Sequence, residues 1–180
     1  MHLTTPRLKL RQWKSSGLGH FAKLNADKDV MHYFPTTLSK KESNNHTEKF
    51  QFTITENDWG LLAVELISSG EFIRFVGLNN IKPELPPAPG VEIGWRLAKE
   101  NWDKGYATEA GRKCLQFAFQ NLELKEVMAF TTTKNTKSLA VMKRLGMKNT
   151  HENFFHPYID KSSSLCEHVL YSITKIEGEL

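Results

Sequence analysis

The apolar periodicity of the chain changes near its middle, and this change constrains the fold more than any other feature. Val91–Leu97 alternates apolar and polar residues, as a strand does. From Thr108 the apolar residues recur at helical spacing, and a buried strand, Glu126–Thr132, and a helix over residues 138–145 follow. A strand, a glycine-containing turn, a helix, a buried strand and a helix form a βαβα unit, so part of the sheet is expected to be parallel.

The N-terminal half of the chain predicts a hairpin and a long helix. Residues 61–67 and 71–79 are β-rich runs separated by Ser68-Ser69-Gly70, which is typical of a hairpin. Ser39, with Glu42 three residues later, forms the capping-box pattern that marks the start of a polar helix.

Two further segments complete the predicted sheet. Residues 7–13 alternate apolar and polar side chains, and residues 168–174 (HVLYSIT) form the closing strand. Together with the βαβα unit, these strands predict an α/β (α+β) fold with a mixed sheet and helices on both faces. A length of 180 residues suits one domain, over residues 1–180.

The composition of the chain limits the kinds of ligand, compartment and metal site that are expected for the protein. A net charge of +4 and a pI of about 9.0 are compatible with an anionic ligand, whereas the scattered basic residues argue against nucleic acid. The absence of a long apolar run and of a secretory signal predicts a soluble, cytoplasmic protein without membrane association. Cys114 and Cys166 are far apart and the histidines lack ligand spacing, so neither a disulfide nor a metal is expected. Cys114 lies on the apolar stripe of a helix and is expected to be an inert core residue.

The segment NWDKGYATEA, residues 101–110, has the features of a phosphate cradle. It leads into a helix, whose first turn carries unpaired N–H groups and a partial positive charge. Gly105 lets the backbone approach a phosphate closely, Thr108 is placed to cap the helix, and Lys104 adds a positive charge. Simple chain geometry is the alternative, since strand-to-helix turns with one glycine are common. The segment matches neither a P-loop nor a GxGxxG fingerprint.

The longer segment NWDKGYATEAGRKCLQFAF resembles the signature turn and helix of the GNAT acetyltransferase superfamily. The resemblance is to the branch of ribosomal-protein N-terminal acetyltransferases (RimJ/RimL-like). Further pieces occur in the same order as in that branch: TPRLKLRQW at the start, VEIGWRL before the turn and NTKSLAVMKRLGM after the buried strand. The closing HVLYSIT also fits, so the resemblance spans nearly the whole chain.

The resemblance implies a fold, a cosubstrate and a set of binding residues. The implied sheet is mixed and mostly antiparallel, with one parallel strand pair splayed at the cofactor site. The cosubstrate is acetyl-coenzyme A, without a metal: backbone amides of residues 104–108 hold its pyrophosphate, and the end of the Val91–Leu97 strand pairs with pantetheine and polarises the thioester carbonyl. The implied cofactor-binding residues are Trp95, Arg96, Leu97, Trp102, Lys104, Gly105, Tyr106, Ala107, Thr108, Asn135 and Ser138.

Three positions depart from the pattern of the family. The turn motif of the family begins with Gln or Arg, and Trp102 stands at that position. Tryptophan is a common replacement there in the resembled branch. Asp103 replaces a glycine that is often found next, and it places an acid beside the pyrophosphate. Met142 stands where many members carry a tyrosine that protonates the leaving thiolate, so Ser138 is the substitute candidate.

The reaction requires a neutral amine, so some group must accept a proton. Glu92 is the candidate base, directly or through a water molecule, because it lies on the cofactor-binding strand opposite the apolar face. A solvent-facing or salt-bridged glutamate is the alternative interpretation. Glu92 and Ser138 are therefore the candidate catalytic residues.

The predicted function is transfer of an acetyl group from acetyl-coenzyme A to a primary amine, by direct attack in a ternary complex. The resembled branch implies a protein or peptide N-terminus as the acceptor. Two alternatives stay open: a small amine (an aminoglycoside, a polyamine or an amino acid) and a coenzyme-A-binding module without catalysis. The walls of the acceptor-binding site, called the acceptor walls below, are expected over residues 15–34, 82–90 and 154–164. The protein is expected to be a monomer or a homodimer.

Overall fold

The computed structural model of the chain describes residues 2–176. These residues form two compact units: the first runs up to Gly77 and includes Gly94–Lys113, and the second contains Leu78–Ile93 and the described residues from Cys114 onward. A single domain over residues 1–180 stays a prediction.

The strands are β1 (Leu3–Thr4), β2 (Leu8–Arg11), β3 (Leu61–Leu66), β4 (Phe72–Asn80), β5 (Val91–Leu97), β6 (Glu126–Thr132), β7 (Lys148–Asn149), β8 (Phe154–Phe155) and β9 (Glu167–Thr174). The α-helices are α1 (Leu18–Ala26), α2 (Lys40–Asn57), α3 (Tyr106–Gln120) and α4 (Thr136–Arg144), and none of these four is long and apolar enough to cross a bilayer.

The strands form a mixed sheet that is mostly antiparallel. Its order is β1-β2-β3-β4-β5-β6-β9-β7, and β8 also pairs with β9. β5 and β6 run parallel, with Glu92 opposite Met128, whereas β6 and β9 run antiparallel over the whole length of β6. The predicted fold class, with its one parallel pair, is therefore confirmed.

An aromatic cluster forms much of the core of the first unit. The ring of Trp13 lies 4.9 Å from that of Phe21 on α1 and 5.6 Å from that of Phe50 on α2, and Phe75 of β4 packs against both phenyl rings. The indole N–H of Trp13 donates to the carbonyl of Leu61 over 2.7 Å, so its one polar atom is satisfied. This cluster holds both helices against the sheet of the first unit.

The ends of α2 and α4 follow the signals in the sequence with one shift. Ser39 and Glu42 form the predicted capping box, so α2 begins at Lys40. Asn135 rather than a later residue caps α4, which therefore begins two residues before the predicted start at Ser138. At the other end of α4, Gly146 adopts a left-handed φ of 81° and terminates the helix, as predicted.

Both cysteines of the chain are buried free thiols in the second unit. Cys114 is fully enclosed and Cys166 is 1% exposed. Burial raises the pKa of the Cys114 thiol to about 12, because the thiolate would lose its solvation. Cys114 is thus the core residue that its position on the helix predicts.

Candidate functional site

The turn that leads into α3 contains two left-handed residues. Asp103 has a φ of 58° and Gly105 a φ of 81°. Asp103, Lys104 and Gly105 are exposed, and α3 begins at the next residue, Tyr106. The unpaired N–H groups of the first helical turn therefore follow directly on an exposed glycine, which is the arrangement of an anion site.

The left-handed backbone at Asp103 explains why a glycine is usual at this position of the family motif. Residues other than glycine are uncommon in this conformation, and Asp and Asn are enriched among those that occur. Asp103 therefore keeps the shape of the turn, while its carboxylate adds a negative charge to it.

Residues from the N-terminal strands brace this turn. Arg7 donates from Nη1 to the carbonyl of Lys104 over 3.1 Å and from Nε to the carboxylate of Glu109 over 2.6 Å. The Thr5 hydroxyl and the Arg7 backbone N–H donate to the same carboxylate, over 2.6 and 3.0 Å. The Arg7 guanidinium also lies over the ring of Tyr106, 4.7 Å from its centre. The turn and the start of α3 are thus fixed by several contacts within the first unit.

The carboxylate of Glu109 is the hub of this brace. Burial alone would raise the pKa of Glu109, but the hydrogen bonds from Thr5 and Arg7 hold it below its ordinary value, so the group is ionised at neutral pH. Neither Arg7 nor Glu109 is among the site residues predicted from the sequence, although both lie within motifs of the resemblance. Their contact joins positions 102 residues apart, which no local spacing indicates.

The end of β5 is tied to the same turn by Trp102. The indole N–H of Trp102 donates to the carbonyl of Leu97 over 3.0 Å. Leu97 is buried, while Trp95, Trp102 and the helix residues Tyr106 and Ala107 are half-buried. The tryptophan that replaces Gln or Arg in the motif thus links the strand directly to the turn.

The prediction that Thr108 caps α3 is wrong. The helix begins at Tyr106, because left-handed Gly105 turns the chain into it three residues before the position that a Thr108 cap would give. Thr108 is therefore the third residue of the helix and is buried. Within residues 2–176 its hydroxyl lacks a hydrogen-bond partner, and the carbonyl four residues earlier, that of Lys104, accepts from Arg7.

Glu92 is a half-buried carboxylate of β5 that belongs to the second unit. Its Oε1 accepts a hydrogen bond from Asn79 Nδ2 of β4 over 3.0 Å. Burial raises the pKa of Glu92, and the Asn79 hydrogen bond and the charge of Lys82 offset this effect only in part. Glu92 takes part in none of the ion pairs found among the described residues. A carboxylate in this setting is a stronger proton acceptor than an ordinary one.

Asn135 and Ser138 lie together at the start of α4, also in the second unit. Asn135 Oδ1 accepts from the Ser138 backbone N–H over 3.1 Å, and its Nδ2 donates to Thr131 Oγ1 over 3.0 Å. Both ends of the Asn135 amide are therefore engaged. In the described part of the chain, the Ser138 hydroxyl has no hydrogen-bond partner and stays able to donate.

The side chain of Arg96 contacts one of the predicted acceptor walls. Its Nη1 donates to Asn25 Oδ1 of α1 over 2.7 Å, and its guanidinium lies 4.1 Å from the ring centre of Phe34. Asn25 and Phe34 both belong to the wall over residues 15–34. The resemblance implied a role for the backbone of Arg96, whereas the structure shows a distinct setting for its side chain.

The other two predicted acceptor walls contact each other within the second unit. The ammonium of Lys82 lies 5.1 Å from the ring centre of Tyr158. Burial and a hydrogen bond with Glu84 raise the pKa of the Tyr158 hydroxyl. The proline-rich loop and the loop before β9 are therefore joined through Tyr158.

The chain matches a known family and has close structural neighbours. The family described as "Acetyltransferase (GNAT) domain" matches residues 7–148. The uncharacterized N-acetyltransferase YnaD of Bacillus subtilis is 27% identical, over 98% of this chain and 99% of the relative. The crystal structure of a GNAT-family acetyltransferase from Bacillus anthracis has a TM-score of 0.82 at 23% identity and covers 98% of this chain and 100% of its own.

Two further neighbours are named for different acceptors. A ribosomal-protein-S5-alanine acetyltransferase from Vibrio fischeri has a TM-score of 0.76 at 18% identity and covers 100% of both chains. A spermidine N-acetyltransferase from Vibrio cholerae, in complex with CoA and spermine, has a TM-score of 0.73 at 18% identity, over 97% of this chain and 99% of its own. Likeness at such identities shows the fold alone, whereas the family match spans well over half of the sequence. The chain therefore belongs to the GNAT family of acetyltransferases.

Proposed function

We propose that the chain transfers an acetyl group from acetyl-coenzyme A to a primary amine, with a protein or peptide N-terminus as the acceptor. The observation that carries this proposal is the turn exposed at residues 103–105, with left-handed Asp103 and Gly105 just before the first turn of α3. The backbone of residues 104–108 would hold the pyrophosphate, and the end of β5 the pantetheine arm. When bound, acetyl-coenzyme A supplies an acetyl group activated as a thioester.

The space at Gly105 and the donors around it support a pyrophosphate site. Among the described residues, a Cβ added at Gly105 would meet a single atom within 4 Å, Arg7 Nη2 at 3.4 Å. An anion approaching Gly105 would therefore find the Arg7 guanidinium close by, and the unpaired amides of α3 begin at the next residue. The brace through Glu109 keeps these donors in place before the anion arrives.

The proposed roles of Glu92 and Ser138 follow from their surroundings. Glu92 would take the proton from the amine, directly or through water, and its raised pKa makes it a better base for that purpose. The Ser138 hydroxyl would donate a hydrogen bond to the departing sulfur. Cys114 and Cys166 are buried, so neither is placed to carry the acetyl group on the protein, which supports direct attack in a ternary complex.

Two observations bear on the acceptor. The resembled branch and the S5-alanine acetyltransferase neighbour favour a polypeptide N-terminus. The spermidine N-acetyltransferase neighbour makes a small amine the second candidate. Both acceptors need the same proton transfer, so they differ in what the acceptor walls recognise.

Release of free coenzyme A from acetyl-coenzyme A, with a panel of N-terminal peptides and small amines, tests the proposed function. We expect amine-dependent thiol release with peptides and a product acetylated on its α-amine by mass spectrometry. Release with polyamines or aminoglycosides alone would establish the second candidate instead. Tight binding of coenzyme A without release of free thiol in the presence of any amine would indicate a coenzyme-A-binding module without catalysis, and it would contradict the proposal.

Removing the charge of Asp103 is expected to strengthen cosubstrate binding. Asp103→Asn keeps a side chain that tolerates the left-handed backbone, and Asp103→Gly restores the family residue. Each should lower the KM for acetyl-coenzyme A about two- to fivefold, since one exposed charge at a helix terminus is worth about 0.3–1 kcal/mol. Initial rates at low ionic strength measure this change.

Asp58 provides a matched control for the charge of Asp103. It is an exposed aspartate with a φ of 60°, and it ends α2 instead of preceding α3. Asp58→Asn should leave the KM for acetyl-coenzyme A unchanged. An equal change in both variants, or no change in Asp103→Asn, would contradict a phosphate site at the turn.

A further inference from the structure

The guanidinium of Arg96 is a largely enclosed cation that has no ion-pair partner among residues 2–176. It has five N–H donors, and the structure gives it one hydrogen-bond acceptor, Asn25 Oδ1 at 2.7 Å. The rings of Phe34 and Phe75 lie on it, with centres 4.1 and 5.5 Å from its central carbon. Its Nε is buried without a hydrogen-bond partner in residues 2–176.

Three other arginines of the first unit, buried Arg11 and Arg74 and exposed Arg7, have acidic groups close to them. Arg11 pairs with Glu65, and Arg7 pairs with Glu109. Burial lowers the pKa of Arg74, but the charges of Glu100 and Glu71 oppose that effect. Arg96 differs from all three in this respect.

Burial lowers the pKa of Arg96 to about 10, and no charge in the described part of the chain raises it. The group is therefore still a cation at neutral pH, and the aromatic faces and the Asn25 oxygen compensate its charge only in part. An enclosed charge without a partner is strongly destabilising, whereas an anionic ligand would supply the missing partner.

We infer that the Arg96 guanidinium binds a carboxylate of the acceptor, which is then an amino acid or a peptide with a free carboxylate beside its amine-bearing part. This inference rests on the acetyl transfer of the proposed function: it limits peptide acceptors to those with a carboxylate near the amine, and among the small amines it selects amino acids. The aromatic faces of Phe34 and Phe75 and the Asn25 contact hold the guanidinium in one orientation, so its remaining donors are fixed before the acceptor binds.

The surroundings of Arg96 favour the acceptor over the donor as the source of the anion. Asn25 and Phe34 belong to the predicted acceptor wall over residues 15–34, and the turn proposed for the pyrophosphate has its own arginine, Arg7. The same cation would repel a polyamine or an aminoglycoside, since like charges at close range are unfavourable in a partly enclosed site.

Two variants separate recognition by Arg96 from a role in folding. Arg96→Met removes the cation. Asn25→Asp is nearly isosteric and gives Arg96 a carboxylate from the chain itself. Asn25 now donates to Ser43 Oγ over 3.1 Å, and the new carboxylate can accept from that hydroxyl, so no hydrogen bond is lost. Asn25→Asp should therefore fold at least as stably as the unaltered chain while competing with the carboxylate of the acceptor.

The test compares each amine acceptor with its own carboxamide: free amino acids against amino acid amides, and short peptides with a free against an amidated C-terminus. We expect the unaltered chain to prefer the carboxylate form by about 10- to 100-fold in kcat/KM, because this ratio corresponds to the free energy of one charge-assisted hydrogen bond. Both variants should reduce this ratio to about one, and Asn25→Asp should leave the KM for acetyl-coenzyme A unchanged. Asn25→Asp should also keep or raise the melting temperature.

Arg74→Met is the matched control, because it removes a buried arginine of the same unit that has acidic neighbours. It should lower stability and keep the preference for the carboxylate form. The inference is overturned if the unaltered chain uses both forms equally, or if Asn25→Asp and Arg96→Met keep the preference. A raised KM for acetyl-coenzyme A with an unchanged preference would assign the anion to the donor and overturn it too. Coenzyme A binding without thiol release from any acceptor would instead defeat the proposed function, and the inference with it.

Discussion

Replacing Glu92 with glutamine is expected to lower kcat/KM about 100- to 10,000-fold, since this is what a positioned general base contributes. Glutamine keeps the shape of the side chain and an oxygen that can accept the hydrogen bond from Asn79. The loss would therefore report the missing proton acceptor and not a collapsed strand. Initial rates of thiol release, measured across a range of pH with a saturating amine, give the size of the effect.

The pH profile of the same reaction identifies the titrating group. The base acts when it is deprotonated, so kcat/KM of the unaltered chain should rise with pH through the pKa of Glu92. Burial raises that pKa, so the acidic limb should lie above the ordinary value for glutamate. The limb should be absent from Glu92→Gln. An unchanged kcat/KM with an unchanged limb would exclude Glu92 as the base.

Glu92→Gln should lower activity but raise thermal stability at alkaline pH. Folding raises the pKa of Glu92, so its contribution to the free energy of unfolding depends on pH. This contribution is complete at a pH below the pKa that Glu92 has in the unfolded chain, and it is lost as the pH rises through the pKa that Glu92 has in the folded chain. At pH 8 the ionised carboxylate of Glu92 is therefore less favourable than a neutral amide. Glu92→Gln should melt at a higher temperature than the unaltered chain at pH 8 and at about the same temperature at pH 4. Glu126→Gln, the same change at an exposed position of β6, is the control and should alter neither activity nor melting.

Replacing Gly105 with alanine is expected to raise the KM for acetyl-coenzyme A about 10- to 100-fold. The added Cβ would stand 3.4 Å from Arg7 Nη2, in the space through which a phosphate would reach the amides of α3. Loss of one hydrogen bond to a charged group costs about 1.5–3 kcal/mol, which corresponds to that range. Titration of coenzyme A by calorimetry measures the affinity without depending on turnover.

Gly70 separates backbone strain from loss of the binding surface. Its φ is 69° against 81° at Gly105, and a Cβ there would meet nothing within 4 Å among the described residues. Alanine should cost each position about 1–2 kcal/mol of folding free energy, because both backbones are left-handed. Gly70→Ala should keep the affinity for coenzyme A. If both variants bind coenzyme A as well as the unaltered chain does, the turn is not the pyrophosphate site.

The sequence predicts those parts of the fold whose signals are local. Ser39 and Glu42 lie three residues apart and cap α2 through bonds that any helix start with these residues can make. Gly146 ends α4 for an equally local reason. The two-residue strands β1, β7 and β8 were missed, because two residues are too few to show an alternation.

The parts of the candidate site that depend on tertiary contacts could not be predicted. The alternation along β5 places Arg96 on the same face as Glu92, but its enclosure depends on Asn25 and Phe34, which are distant in sequence. The brace of the turn likewise requires Arg7 to reach Glu109 across the fold. Local patterns identify residue types on a face, and only packing decides which of them lose contact with water.

The burial of Cys114 and Cys166 also decides how the protein can be labelled. Maleimides and related electrophiles react with an accessible thiolate, and both thiols are enclosed in the folded chain, with the pKa of Cys114 at about 12. A cysteine introduced at an exposed position, such as Lys161→Cys in the loop before β9, would therefore be the preferred site of attachment. A fluorophore placed there, within the predicted acceptor wall over residues 154–164, would report acceptor binding while both native cysteines stay in place.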